Sequence, residues 1–157
     1  PTTTSNLFNG AARILEEHDN SIDVQLSRDA GIQFALVPVK NDTVIAVIET
    51  VLTPVADSGV TFYRTDWTPL KNTPALPSAT AFFPEEKRKE VKDTDMPEPL
   101  YMRISFIPDK GLFRFTNTSG ANYTSVDRPE GLAAMRHSID MRFDGKRFIE
   151  TTSTDED

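Results

Sequence analysis

Cysteine is absent from the 157 residues. That removes disulfides, thiolate-bound zinc, iron–sulfur clusters and thiol nucleophiles together. It makes a reducing setting, the cytoplasm or the interior of a virion, the expected home. Long apolar runs are missing as well. No stretch approaches the ~20 residues that span a bilayer, and the N-terminal PTTTSNLF has neither the basic nor the apolar region of a signal peptide. Neither a leader nor a membrane partner is expected. The seven glycines form no Gly-x-Gly-x-x-Gly and no Gly-Lys-Ser/Thr cradle, so no phosphate-bearing cofactor is expected. Basic residues are outnumbered 17 to 24 by acidic ones, a net charge of −7, which argues against direct nucleic-acid binding. No motif ties the sequence to a known family.

Catalytic groups are equally thin. The two histidines, His18 and His137, fall at the ends of predicted helices, where an imidazolium would face the negative end of the dipole. No serine occupies a Gly-x-Ser-x-Gly elbow. Glu17, His18 and Asp19 cluster in a metal-like way, but on a helix neighbouring side chains diverge by about 100° and cannot share an ion. No metal ligand and no catalytic residue is expected, and both histidines are expected to be dispensable.

What is present is an ordinary globular balance, 38% hydrophobic and 26% charged, over a length that suits one domain, residues 1–157. Leu7, Ala11, Ile14, Leu15 and His18 recur at spacings of three and four, predicting a helix over 6–18 with Ser5 as its cap. IDVQLS alternates as a strand. IQFALVPV and TVIAVIETVL are nearly continuous apolar runs that predict a hairpin covered on both faces, with the Pro38 strand at an edge or broken there. VTFYRTDW predicts a further strand after an ADSG turn, ending near Trp67. LYMRISFI-PDKG-LFRFT predicts a hairpin with Met102, Ile104 and Phe106 on one face. TSVDRPEGLAAMRHS predicts a short helix over 128–137, with Asp127 and Glu130 as a capping box. IDMRF-DG-KRFIE predicts a hairpin on a two-residue Asp144-Gly145 turn. The expected class is α+β: a predominantly antiparallel sheet system, sandwich or partly open barrel, with two short helices and a long projecting loop.

That loop is residues 66–99, which hold six of the eleven prolines. It exceeds the ordinary length of an unstructured loop in a compact domain and carries Trp67, Phe82 and Phe83. These three are expected to anchor it on another chain, with the charged run 85–95 as solvated rim. The final hairpin offers a second contact: Arg142 opposite Arg147, their charge met by Asp140, Glu150, the tail acids Asp155–Asp157 or a partner's acidic patch. The polar ends, PTTTS and STDED, also need neighbours to hold them in order.

These features point first to a non-enzymatic assembly or interaction subunit, such as a virion or tail component, with a protein partner or its own copies. The competing expectation is a small acidic inhibitor or immunity-type protein that blocks a basic site. A carboxylate- or histidine-dependent enzyme comes third.

Overall fold

Alternating and continuous apolar runs decide the architecture. The computed structural model describes residues 3–5 and 11–151, and among these ten strands form two antiparallel sheets. The first sheet is a six-stranded meander: β1 (Thr3–Ser5), β2 (Ala11–His18), β3 (Ser21–Ser27), β4 (Ala30–Val39), β5 (Asp42–Val51) and β6 (Asp57–Arg64). The second has four strands: β7 (Met102–Ile107), β8 (Leu112–Asn117), β9 (Ser138–Phe143) and β10 (Phe148–Glu150). Between the sheets, Phe62 stacks on Phe143 with ring centroids 3.9 Å apart, and Phe113 and Phe148 close around them. Offset and edge contacts of this kind add to the burial of each ring.

Both predicted helices are corrected. Residues 11–18 form β2, while Leu7 and Gly10 lie outside the described residues. The cause is a bulge: Ile14 pairs with Val24 and Glu16 with Asp23, leaving Leu15 over. One inserted residue shifts the phase of a period-2 pattern and turns it into spacings of three and four. Over 128–137 only a 3-10 turn forms, Glu130–Ala134, begun by Pro129 without a side-chain cap. Asp127 bonds Thr124 instead of closing a capping box. Helical structure among the described residues is thus limited to 3-10 turns, the longest five residues.

The strand predictions fare better. The hairpin of β7 and β8 turns at Pro108–Gly111, with Gly111 at φ 64°. Met102, Ile104 and Phe106 are buried on one face. The expectation for Pro38 is corrected: β4 lies between β3 and β5 and runs unbroken to Val39, and the proline is tolerated because the amide of Leu36 donates to Asn20 at the last contact with β3 and Pro38 lies beyond it. Likewise, β6 already begins at Asp57 and ends at Arg64, so Asp57, Ser58 and Gly59 of ADSG belong to the strand and Trp67 to the following turn.

Strand β7 is an edge of its sheet, and the opposing sheet caps it with side chains. The amides of Met102, Ile104 and Phe106 donate to Asp57 Oδ1 (3.2 Å), Ser58 Oγ (3.0 Å) and Gln33 Oε1 (2.7 Å), and Gln33 Nε2 donates to the Phe106 carbonyl (3.0 Å). Unpaired edge groups are a template for unwanted strand addition, and these contacts remove it.

Residues 66–99 do not project. They cross from the first sheet to the second and pack into the core: Phe82 is 0% and Phe83 1% exposed. Leu70, Ala79, Ala81, Val91 and Met96 lie against the same cluster. The reason is composition, since apolar residues spaced through the segment find the open side of the sandwich. Its charged run also turns inward, through Arg88. That guanidinium donates to the carbonyls of Phe83 and Ala81 and to Glu150 Oε2 (3.1 Å), while Arg136 holds Glu150 Oε1 at 2.6 Å.

Burial pushes the Glu150 carboxyl up, but the hydrogen bonds from Arg136 and Arg88 outweigh it and hold the group below its ordinary value. A lowered carboxyl stabilises the fold fully above its unfolded value of 4.5 and loses that contribution as the pH falls through its folded value. With all three side chains about a third exposed, the clamp contributes on the order of 1 kcal/mol. Glu150→Gln should therefore lower Tm by a few degrees at pH 7, and thermal scans should show that gap closing below pH ~4.5. A gap unchanged down to pH 3 would contradict the clamp.

Candidate functional site

The register of the first sheet sorts its side chains into two faces, since residues directly opposite one another share a face. The inner rows, His18–Ser21–Ala35–Ala46–Phe62 and Glu16–Asp23–Gln33–Ile48–Val60, run toward the second sheet. The outer rows are Leu36–Ile45–Tyr63, Glu17–Ile22–Phe34–Val47–Thr61 and Ile14–Val24–Ile32–Glu49–Gly59. The two apolar runs of β4 and β5 therefore put Ala35, Val37, Ala46 and Ile48 inside and Ile32, Phe34, Leu36, Ile45 and Val47 outside. The expectation of cover on both faces is met on one only. Leu36 remains 45% exposed.

Where β2 turns into β3, a hollow of about 500 Å³ opens on the outer face and reaches His18, Ser21 and Ala35 at the end of the inner row. Glu17, His18, Asp19, Ile22, Phe34, Leu36, Ile45 and Trp67 line it. Trp67 comes from the turn after β6. Its amide bonds the Arg64 carbonyl (2.9 Å), Arg64 bonds the Thr68 carbonyl (2.8 Å), and Asp66 Oδ1 accepts from the Thr68 amide (2.9 Å). These bonds hold Trp67 at φ 67°, a left-handed conformation rare for a bulky residue. The indole meets Phe34 edge-on at 6.4 Å and Tyr63 at 5.7 Å, yet stays 56% exposed.

A second hollow, about 220 Å³, opens at the inner end of β2 and β3 among Arg13, Asp23, Gln33, Arg103 and Ser105. Burial, then the Glu16 charge, raises the Asp23 carboxyl above its usual range, against the pull of Gln33. This hollow is the smaller of the two; Leu15, Val24, Ile32 and Ile104 also line it, and the charges of His18 and Arg103 join Gln33 in pulling the Asp23 carboxyl down.

Of the residues singled out from the sequence, Trp67 lines the larger hollow, together with Glu17, His18 and Asp19. His18 ends a strand, not a helix, and its Nε2 lies 3.4 Å from Glu16 Oε2. His137 likewise precedes β9, so the helix-dipole role falls for both. Phe82 and Phe83 are core residues and leave the list of surface contacts. The arginine pair also dissolves. Arg142 stands opposite Ile149, because Asp144 Oδ1 accepts the amides of Lys146 (2.8 Å) and Arg147 (2.9 Å) and widens the turn to four residues. Arg147 is left in that turn, 3.9 Å from Asp144 Oδ2, with its side chain 79% exposed. Asp140 is held by Arg114 (2.8 and 2.9 Å) and Glu150 by the clamp, so neither answers Arg142; Asp155–Asp157 lie outside the described residues. No group of three or more histidine or acidic residues that could hold a metal ion occurs among the described residues.

Residues 2–148 match the model of a family described as "Protein of unknown function (DUF3256)". The chain belongs to this family. Its fold is similar to a solved structure titled "Structure of a domain of an uncharacterized protein from Porphyromonas gingivalis W83". The two are 24% identical with a TM-score of 0.77, over 96% of this chain and 80% of that one, a likeness of fold. No curated protein matches the chain. No helix among the described residues is long and apolar enough to cross a membrane. Sequence reasoning found Trp67 but missed Phe34 and Tyr63, which are brought to it by pairing across β4, β5 and β6.

Proposed function

We propose that the protein is a non-enzymatic interaction module that docks a protein partner on the outer face of its six-stranded sheet, with Trp67 as the anchor. One observation carries this reading: β4 and β5 are apolar on both faces, and the second sheet covers the inner one alone. Sheets with one solvated face ordinarily alternate apolar and polar residues. A large apolar patch with an aromatic at its centre is the composition of a contact surface. The lack of cysteine suits a cytoplasmic or virion-internal setting, as part of an assembly or as an acidic inhibitor.

Trp67→Gly separates fold from docking. Glycine removes the left-handed penalty of ~1–2 kcal/mol, and loses ring contacts with Phe34 and Tyr63 worth ~0.5–1.5 kcal/mol each. Stability should therefore change by about 1 kcal/mol or less, whereas a central tryptophan typically contributes about 2 kcal/mol or more to binding. A photo-crosslinking residue at Leu36 should form adducts in the native cell that vanish in the Trp67→Gly background. The same residue at Arg142, on the other sheet, should form none. Adducts only at Arg142, or none at Leu36 with a monomeric mass by light scattering, would refute the docking face.

A further inference from the structure

We infer that the Trp67 hollow receives a lysine or arginine side chain, so that the docked partner presents a basic segment; this rests on the docking role proposed above. Phe34 and Trp67 give the hollow an aromatic wall, and Tyr63 packs against Trp67. Aromatic faces attract cations, and Trp does so best. Ile22, Leu36 and Ile45 supply an apolar lining for the methylene stem that carries such a charge.

The carboxylates supply the second half. Glu17 and Asp19 line the hollow, and among the described residues neither side chain makes a hydrogen bond or ion pair. Glu16, the acid next in sequence to Glu17, is already engaged with His18. The outer rows carry two charged residues, Glu17 and Glu49, both acidic, while Arg13 of the same sheet stands in an inner row opposite Gln25. With a net charge of −7, two copies of this chain would repel at such a face, whereas a basic partner would be drawn to it. A volume of about 500 Å³ accommodates the basic side chain together with flanking residues of the segment.

The chain contains a single tryptophan, so its fluorescence reports this hollow directly. The probe is a short peptide alternating lysine and glycine, compared with the same peptide bearing acetyl-lysine. The lysine peptide should shift Trp67 emission saturably and bind about ten-fold or more tighter than its acetylated form. Glu17→Gln with Asp19→Asn should weaken it by about ten-fold, and Glu85→Gln with Glu86→Gln, exposed acids away from the hollow, by less than about two-fold. Equal binding of both peptides would overturn the inference while leaving an apolar docking face intact. Equal weakening by the two acid pairs would reduce the effect to bulk charge and overturn it too, as would an unchanged Trp67 emission.

Discussion

Phe82→Ala should lower the free energy of unfolding by about 3–5 kcal/mol, the range for removing a sealed aromatic side chain. The ring is 0% exposed and belongs to a cluster drawn from both sheets, so the space it leaves has no solvent to fill it. Its carbonyl accepts the Arg136 amide at 2.6 Å and its neighbour Ala81 accepts the Arg136 guanidinium, so the backbone around the void is pinned and relaxes little. Urea titration should show the midpoint falling without a comparable change in slope. A projecting arm predicts the opposite: an anchor waiting for a partner costs within about 0.5 kcal/mol when truncated in the isolated chain. A loss below 1 kcal/mol would return residues 66–99 to the surface. Replacing 85–95 with a Gly-Ser bridge follows the same logic. It removes Arg88 and the half-buried Val91, and should destabilise the fold directly.

The legible parts of this chain are those whose partners lie close in sequence. The hairpin over 102–117 combines strict alternation with a Pro-Asp-Lys-Gly turn, and its register is what those two signals require. The final hairpin carries a similar signal, Asp-Gly, but the Asp144 carboxylate captured two amides and changed the turn, which displaced Arg147 from Arg142. Side-chain capture of that kind competes with backbone turn preference and leaves no trace in a two-residue motif. In β2 the error came from the bulge at Leu15, because a single extra residue imitates helical spacing. The apolar outer face of the first sheet was half legible. Continuous apolar runs announced that β4 and β5 would need cover on both sides, whereas which side the chain itself covers depends on how residues 66–99 bring the second sheet across. Trp67 stood out as an aromatic in the loop, but its companions Phe34 and Tyr63 assemble only through pairing over three strands, β4, β5 and β6.

Gly131→Ala should be the glycine-to-alanine change that meets the closest obstacle among the described glycines. A Cβ at this position would sit within contact distance of the Asp95 carbonyl oxygen and 2.8 Å from Asp95 Cβ. Real Cβ atoms do not approach that closely, and the obstacle is mainly backbone, which cannot swing aside as a long side chain can. Asp95 is itself fixed: its amide bonds the Lys92 carbonyl (2.9 Å) and its Oδ2 accepts the Lys92 amide (3.2 Å). Glycine is thus required by the crossing of two segments, the 66–99 crossover and the turn at Glu130–Ala134, which meet only in the folded chain. Overpacking of this sort costs typically about 1–3 kcal/mol and more where nothing can yield. Ordinarily a glycine-to-alanine change favours folding by ~0.4–1 kcal/mol through the unfolded chain, so the sign of the effect is diagnostic. Thermal denaturation should show Tm falling by roughly 5–10 °C. If Tm rises, the two segments are not in contact and the crossover does not close the sandwich. If it falls while Trp67→Gly leaves Tm within a few degrees of wild type, the closure by the crossover, and not the Trp67 turn, carries stability.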